Sequence, residues 1–269
     1  MIIGGKEFDT KHHTYVMGIV NTTPDSFYEG SRHTTPEETL QTVLQMQKDG
    51  ADLIDLGAES TRPGHVKISA SEEMDRLLPA LELIRKNTDI PVSVDTTKAE
   101  VAREAIRLGC DLINTIQGFL DPDMAACIAQ SEVPCCLMHN RTDSSYTDFE
   151  TEFQKDMREI LSRAENFGIS RDRIILDPGI GFAKNYEQNL CVLNHLEEWR
   201  NPDVPWLLGT SRKSVIGNTL HLPAGERLEG TLATTVMAVI AGYSFVRVHD
   251  VKENKRCILM TEAIRRCGK

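Results

Sequence analysis

A (β/α)8 barrel is the fold class this sequence predicts, and three observations carry the prediction. Short, mostly uncharged runs rich in Val, Ile and Leu recur eight times. Each is followed by a segment with helical periodicity and helix-end signals. No linker, charge block or low-complexity segment interrupts the alternation over 269 residues. Consecutive βα units with short crossovers require parallel strands, and eight of them in roughly 250 residues is the size of a (β/α)8 barrel. A doubly wound open sheet is the alternative, but it usually has fewer strands. The expected organisation is an N-terminal lead-in or hairpin over 1–14 and a single barrel over 15–269.

The elements follow in order. Tyr15–Val20 is the first strand, apolar and β-branched as in a strand buried on both faces. Thr35-Pro36-Glu37-Glu38 opens a helix with a cap, a proline and first-turn acids, and Asp49-Gly50 ends it. Leu53–Leu56 is the second strand, and Ser71–Lys86 a helix capped by Ser71. Then come strand Pro91–Asp95, helix Thr97–Leu108, strand Asp111–Asn114 and the short helix Pro122–Gln130. Strand Pro134–Met138 leads through a polar loop to helix Phe149–Phe167. Strand Arg173–Asp177 precedes helix Tyr186–Trp199, strand Val204–Leu208 precedes helix Glu226–Ala241, and strand Phe245–Val248 precedes helix Val251–Cys267.

Composition narrows the function classes. A net charge of −10 argues against a nucleic-acid or anionic-membrane surface. Met1–Thr10 has no apolar core of signal-peptide length and no stretch approaches a membrane span, so a cytoplasmic location is expected. Seven cysteines without a Cys-x-x-Cys pair read as reduced thiols, with Cys135-Cys136 packed in the core.

In such a barrel the chemistry sits at the carboxyl ends of the strands. Those positions hold Asn21, the Glu59–Gly64 loop, Asp95, Asn114, His139-Asn140-Arg141, Asp177, the Gly209–Lys213 loop and Arg247-Val248-His249. Asp95, Asn114, Asp177 and Lys213 together satisfy a flat heterocycle rich in N–H and C=O groups. Thr61, Arg62, Arg247 and His249 form a cationic, donor-rich group suited to a phosphate or diphosphate. Asn21 adds a neutral oxygen of the kind magnesium accepts. Blander roles stay open for single residues: Asp95 as a helix cap, Asp177 as a turn former before Pro178-Gly179, Lys213 as a Schiff-base lysine.

Seven segments carry a resemblance: Met17–Phe27, Glu59–Gly64, Ser93–Thr96, Leu137–His139, Leu176–Phe182, Thr210–Ser214 and Arg247–Val251. Their sequences and order resemble the dihydropteroate synthase family of pterin-binding barrels over nearly the whole chain. The resemblance implies condensation of (7,8-dihydropterin-6-yl)methyl diphosphate with 4-aminobenzoate in folate synthesis, and sulfonamides as ligands. It implies that Asp95, Asn114, Asp177 and Lys213 hold the pterin while Arg247 stacks on it. Thr61, Arg62, Arg247 and His249 would hold the diphosphate, with Mg2+ on Asn21. Ser211, Phe182, Phe27 and Asp25 would serve 4-aminobenzoate and the closing loop. A homodimer is also implied.

Two positions depart from the family pattern. Tyr28-Glu29-Gly30-Ser31 replaces the usual Ser-Asp-Gly-Gly, and Asn114-Thr115 replaces Asn-Asp. Two other readings compete. A methyltetrahydrofolate-type methyltransferase shares the barrel and pterin pocket without needing a diphosphate cluster, and a catalytically idle paralogue would bind pterin alone.

Overall fold

The structure, a computed structural model, describes residues 1–22, 35–59, 67–118 and 121–267. Strands β1 (Ile2–Ile3) and β2 (Lys6–Glu7) pair antiparallel as a hairpin. Eight further strands form one parallel sheet: β3 (Tyr15–Asn21), β4 (Leu53–Gly57), β5 (Val92–Asp95), β6 (Leu112–Thr115), β7 (Cys135–Met138), β8 (Ile174–Asp177), β9 (Leu207–Leu208) and β10 (Phe245–Val248). Neighbours in space are β8-β7-β6-β5-β4-β3-β10-β9. A single parallel bridge, Leu176 to Trp206, joins the two ends into a barrel.

Side-chain parity explains why the eight barrel strands are buried on both faces. Outward residues such as Val16, Ile54, Val94, Ile113, Leu137, Leu176 and Val246 join the helices in the larger core. Inward residues change character along each strand. At the amino-terminal end Met17, Leu53, Leu112, Cys136, Ile175, Leu207 and Phe245 form a second apolar cluster with Ile3 and Phe8 of the lead-in. Two residues further on, the same parity presents Asp55, Asn114, Asp177 and Arg247. The barrel is thus an apolar plug below and a polar cup above.

Ten α-helices cover the described residues: α1 (Pro36–Asp49), α2 (Ala70–Asn87), α3 (Ala99–Arg107), α4 (Pro122–Gln130), α5 (Phe149–Asn166), α6 (Tyr186–Asn194), α7 (Leu196–Trp199), α8 (Ser214–Leu220), α9 (Leu228–Ala241) and α10 (Val251–Arg266). The larger departures from the sequence expectation have local causes. The cap of α2 is Ser69, not Ser71, because the Ser69 hydroxyl accepts from the Glu72 N–H. The single helix expected over 186–199 breaks at His195, whose N–H bonds back to Cys191 and Val192 before α7 starts. The strand expected over 204–208 shortens to Leu207–Leu208, since Pro205 has no N–H to offer a ladder. Helix α8 was not foreseen at all.

The seven cysteines are free thiols, with Cys135 and Cys136 buried. Among the described residues no helix is long and apolar enough to cross a membrane.

Candidate active site

The polar cup is built around Arg247, which β10 projects inward. Its Nε donates to Asp55 Oδ2 at 2.5 Å and its Nη2 to Asp95 Oδ2 at 2.9 Å. Asp55 is fully buried and also accepts from Ser93 Oγ (2.6 Å) and Asn114 Nδ2 (3.0 Å). One carboxylate on β4 therefore ties together β5, β6 and β10. Burial works against the Arg247 charge, but Asp55 and Asp95 more than offset it and raise its pKa above the ordinary value.

Asp95 is not the helix cap that its position allows, because α3 takes Lys98 as its N-cap and Asp95 turns to Arg247. Burial pushes Asp95 up to about 7, with Arg247 opposing and Asp55 reinforcing the shift. Its second oxygen, Oδ1, is buried and has no hydrogen-bond partner. Such an orphaned acceptor is costly unless a ligand satisfies it.

Asp177 combines two roles. Its Oδ1 accepts from the Gly179 N–H at 2.7 Å, so it does shape the turn. Burial raises its pKa, and Lys213 counters that shift. A Cβ built on Gly209 would lie 3.6 Å from Asp177 Oδ2, 3.8 Å from Lys213 Nζ and 3.9 Å from Arg247 Cβ. These three side chains thus converge on one floor that a larger residue would fill. Lys213 also donates to the Ile180 carbonyl at 2.5 Å and lies 4.7 Å from the centre of the Phe182 ring. Burial lowers its pKa to about 8 while Asp177 resists the change.

On the other side of the cup, a Cβ at Gly57 would lie 3.2 Å from Asn21 Oδ1 and 3.6 Å from Asp95 Cβ. The missing side chain leaves a cradle beside a neutral amide oxygen, which fits a hydrated magnesium ion. Ser211 Oγ lies 2.9 Å from His249 Nδ1 and also accepts the His249 N–H at 3.2 Å. Burial, then the Arg247 charge, lowers the His249 pKa to about 3. The ring is therefore a neutral partner rather than a cation. Thr61, Arg62, Asp25 and Phe27 lie outside the described residues, as does the Tyr28–Ser31 departure.

The family described as pterin binding enzyme matches residues 17–249. A dihydropteroate synthase of Clostridium beijerinckii is 49% identical over 266 residues, 98% of this chain and 99% of its own. The chain belongs to the dihydropteroate synthase family. A Yersinia pestis dihydropteroate synthase in complex with a sulfonamide drug superposes with TM-score 0.94 at 38% identity, covering 98% of both chains. One from Clostridium difficile, solved in the presence of pteroic acid, gives 0.91 at 43% identity, covering 97% of this chain and all of its own. These relatives separate the chain from the methyltransferase alternative at the level of family.

Two residues that build this cup and its neighbouring loop carry no strand-end signal in the sequence. Asp55 lies inside a strand rather than at its end, although a lone carboxylate within Leu53-Ile54-Asp55-Leu56 was the signal. Lys184 follows the Gly179–Phe182 turn and is buried. Its Nζ donates to His139 Nδ1 (2.9 Å), Gly179 O (3.0 Å) and Phe182 O (3.1 Å). His139 Nε2 in turn lies 3.0 Å from Asp156 Oδ2, which Arg141 grips with Nε at 2.6 Å. Burial, offset in part by Asp156, lowers His139 to about 4, so its Nδ1 is a neutral acceptor for Lys184. The polar residues after β7 thus serve the loop after β8. Arg212 is likewise structural, holding Asp250 through two bonds of 2.9 and 2.7 Å and bonding the carbonyls of Ala224 and Gly225. Glu59 is tied at 2.5 Å to Lys98, which also meets Glu73.

Proposed function

We propose that this chain is a transferase that condenses (7,8-dihydropterin-6-yl)methyl diphosphate with 4-aminobenzoate to give 7,8-dihydropteroate and diphosphate. The observation that carries the reading is the buried, unpartnered Oδ1 of Asp95 beside the Asp55–Arg247 pair. A pterin offers a guanidine-like N–H edge to such an oxygen, and the resulting charge-assisted bond is strong. The Asn114 amide nitrogen is engaged by Asp55, so its carbonyl oxygen remains to accept a ring N–H. At the other end of the heterocycle Asp177 accepts from a donor group and Lys213 donates to an acceptor group.

In this reading Arg247 spans both subsites: its plane covers the pterin while its charge faces the diphosphate. Neutral His249 donates a hydrogen bond to that group, with Ser211 fixing the ring. Thr61 and Arg62 complete the diphosphate subsite. Magnesium, held through Asn21, would supply further neutralisation of the diphosphate charge. The C–O bond to diphosphate breaks, and the positive charge left on the pterin methylene is stabilised by Asp95 and Asp177. The neutral aniline nitrogen of 4-aminobenzoate forms the new C–N bond and then loses its proton to solvent. No strong general base is needed. Phe182, beside Lys213, gives 4-aminobenzoate an apolar wall, and Asp25 and Phe27 are further residues assigned to that substrate in this reading.

The test is diphosphate release by purified protein with magnesium and both substrates. Release should depend on 4-aminobenzoate, whereas pterin binding without release would identify an idle paralogue. Asp95 adds a pH signature. The carboxylate is the form that binds the pterin, so kcat/KM should fall as pH drops below about 7, approaching tenfold per unit. Asp95→Asn should lose that limb together with pterin affinity. An unchanged profile in the variant would rule out this role.

A homodimer built on α9 and α10 is part of the same proposal. Met237 and Ile240 of α9 and Leu259, Met260 and Ile264 of α10 are exposed apolar side chains on adjacent helices, the last two each 62% exposed. An apolar area of this kind is covered in many stable proteins by a second copy. Sedimentation equilibrium should give twice the chain mass at micromolar concentration. A strictly monomeric result would refute it.

A further inference from the structure

A second cluster of ligand-bearing side chains lies outside the barrel mouth, where α5 meets α6. Glu150 is in the first turn of α5, Cys191 is on α6, and His195 is the residue at which α6 breaks. Cys191 and His195 are four residues apart, the spacing that places two side chains on one helical face. The carboxylate of Glu150, the thiol of Cys191 and a ring nitrogen of His195 all lie within 4.8 Å of one another. Cys191 Sγ and Glu150 Oε1 are 3.6 Å apart. That separation matches the edge of a tetrahedral zinc site, in which bonds of about 2.3 Å to sulfur and about 2.1 Å to oxygen put the two atoms about 3.6 Å apart.

We propose that Glu150, Cys191 and His195 form a binding site for a borderline transition-metal dication of the Zn2+ class, bridging α5 and α6. The donor set decides the class. One thiol, one imidazole and one carboxylate suit zinc-like ions and offer little to magnesium or calcium, which take oxygen ligands. Glu198 Oε2, 3.1 Å from His195 Nδ1, adds a second carboxylate at the rim of the site. Burial first, then the charges of Glu150 and Glu198, keep the Cys191 thiol above its ordinary pKa. A thiol binds such an ion as its thiolate, so metal binding releases a proton. Glu150 is exposed and the other two ligands are partly exposed, so an ion reaches the site from solvent. Three protein ligands leave a fourth position for water.

The site is independent of the pterin pocket, but it is not remote in the fold. Helix α5 follows the loop that bears His139 and Arg141, and α6 follows the loop that bears Phe182 and Lys184. A bound ion would fasten together the two helices that anchor those loops.

The test titrates Co2+, then Zn2+, into the intact chain without magnesium or substrates. One equivalent of Co2+ should give a thiolate-to-metal charge-transfer band with the visible intensity of a tetrahedral centre, and Zn2+ should abolish it. Cys191→Ser should remove the band, and His195→Ala and Glu150→Gln should each weaken binding at least tenfold. Zn2+ should raise Tm in the parent chain and not in Cys191→Ser. Absence of the band, or a band that survives Cys191→Ser and so arises from another thiol, would overturn the proposal.

Discussion

Arg247→Met is expected to reduce turnover by roughly a hundred- to a thousandfold and to lower stability by about 3–5 kcal/mol. Both effects follow from one geometry. The guanidinium is the counter-ion of a fully buried carboxylate, Asp55, and of Asp95, at 2.5 and 2.9 Å. Without it, Asp55 keeps, among the described residues, the Ser93 and Asn114 donors, and its charge in the barrel interior loses the guanidinium that balances it. Asp95, already raised to about 7 with Arg247 as the opposing influence, moves higher still and is protonated at neutral pH. The pterin site then loses its charged acceptor as well as the group facing the diphosphate. Adding Asp55→Asn to the variant separates the two losses. The double variant should recover part of the stability in urea titrations and none of the turnover. Full turnover in Arg247→Met would remove Arg247 from the site, and full stability would show that Asp55 does not need it.

The same network shows what the sequence could and could not say. The barrel was legible because each strand is buried on both faces and reads as a continuous apolar run, while helices announce themselves by caps and periodicity. The polar residues at strand ends were legible for a related reason: Asp95, Asn114, Asp177 and Arg247 interrupt those runs where the inward face turns polar. Asp55 stands inside its strand, where a lone carboxylate gives no strand-end signal. Its parity equals that of Leu53 and Gly57, and in register it faces Ser93 on β5, so the alternation along β4 is the signal that marks it. Lys184 gave no local sign. It acts through a histidine 45 residues earlier, and such a contact is created by the closing of the barrel, not by spacing. Helix α8 was invisible for a different reason. Its N-cap, Lys213, makes no side-chain capping bond, and Gly217 and Asn218 depress helix propensity inside a segment of seven residues. Tertiary packing holds it where local signals do not.

The loop after β8 is the part of the site most dependent on a residue that touches no substrate, and Lys184→Met probes it. The ammonium saturates three acceptors, His139 Nδ1 and the carbonyls of Gly179 and Phe182, matching its three donors. Methionine preserves length and leaves all three unpaired. The loss is expected at about 2–4 kcal/mol, because relief of a buried charge offsets part of the broken bonding. Phe182 and the Ile180 carbonyl that receives Lys213 lie on this loop, so KM for 4-aminobenzoate should rise more than kcat falls. A pH dependence separates this role from simple packing. Burial lowers Lys184 to about 7, against 10.5 for an ordinary lysine. Between those values the unfolded chain binds a proton that the folded chain has released, so folding stability from this group rises with pH. The stability of the parent chain relative to Lys184→Met should therefore widen from pH 7 to pH 9, by at most about 1.4 kcal/mol per unit. Below pH 7 the lysine is charged in both states and the difference should level off. Urea titrations at three pH values across this range decide the matter: a difference that stays flat shows Lys184 to be a permanently charged clamp, and one that narrows with rising pH contradicts the burial of its charge.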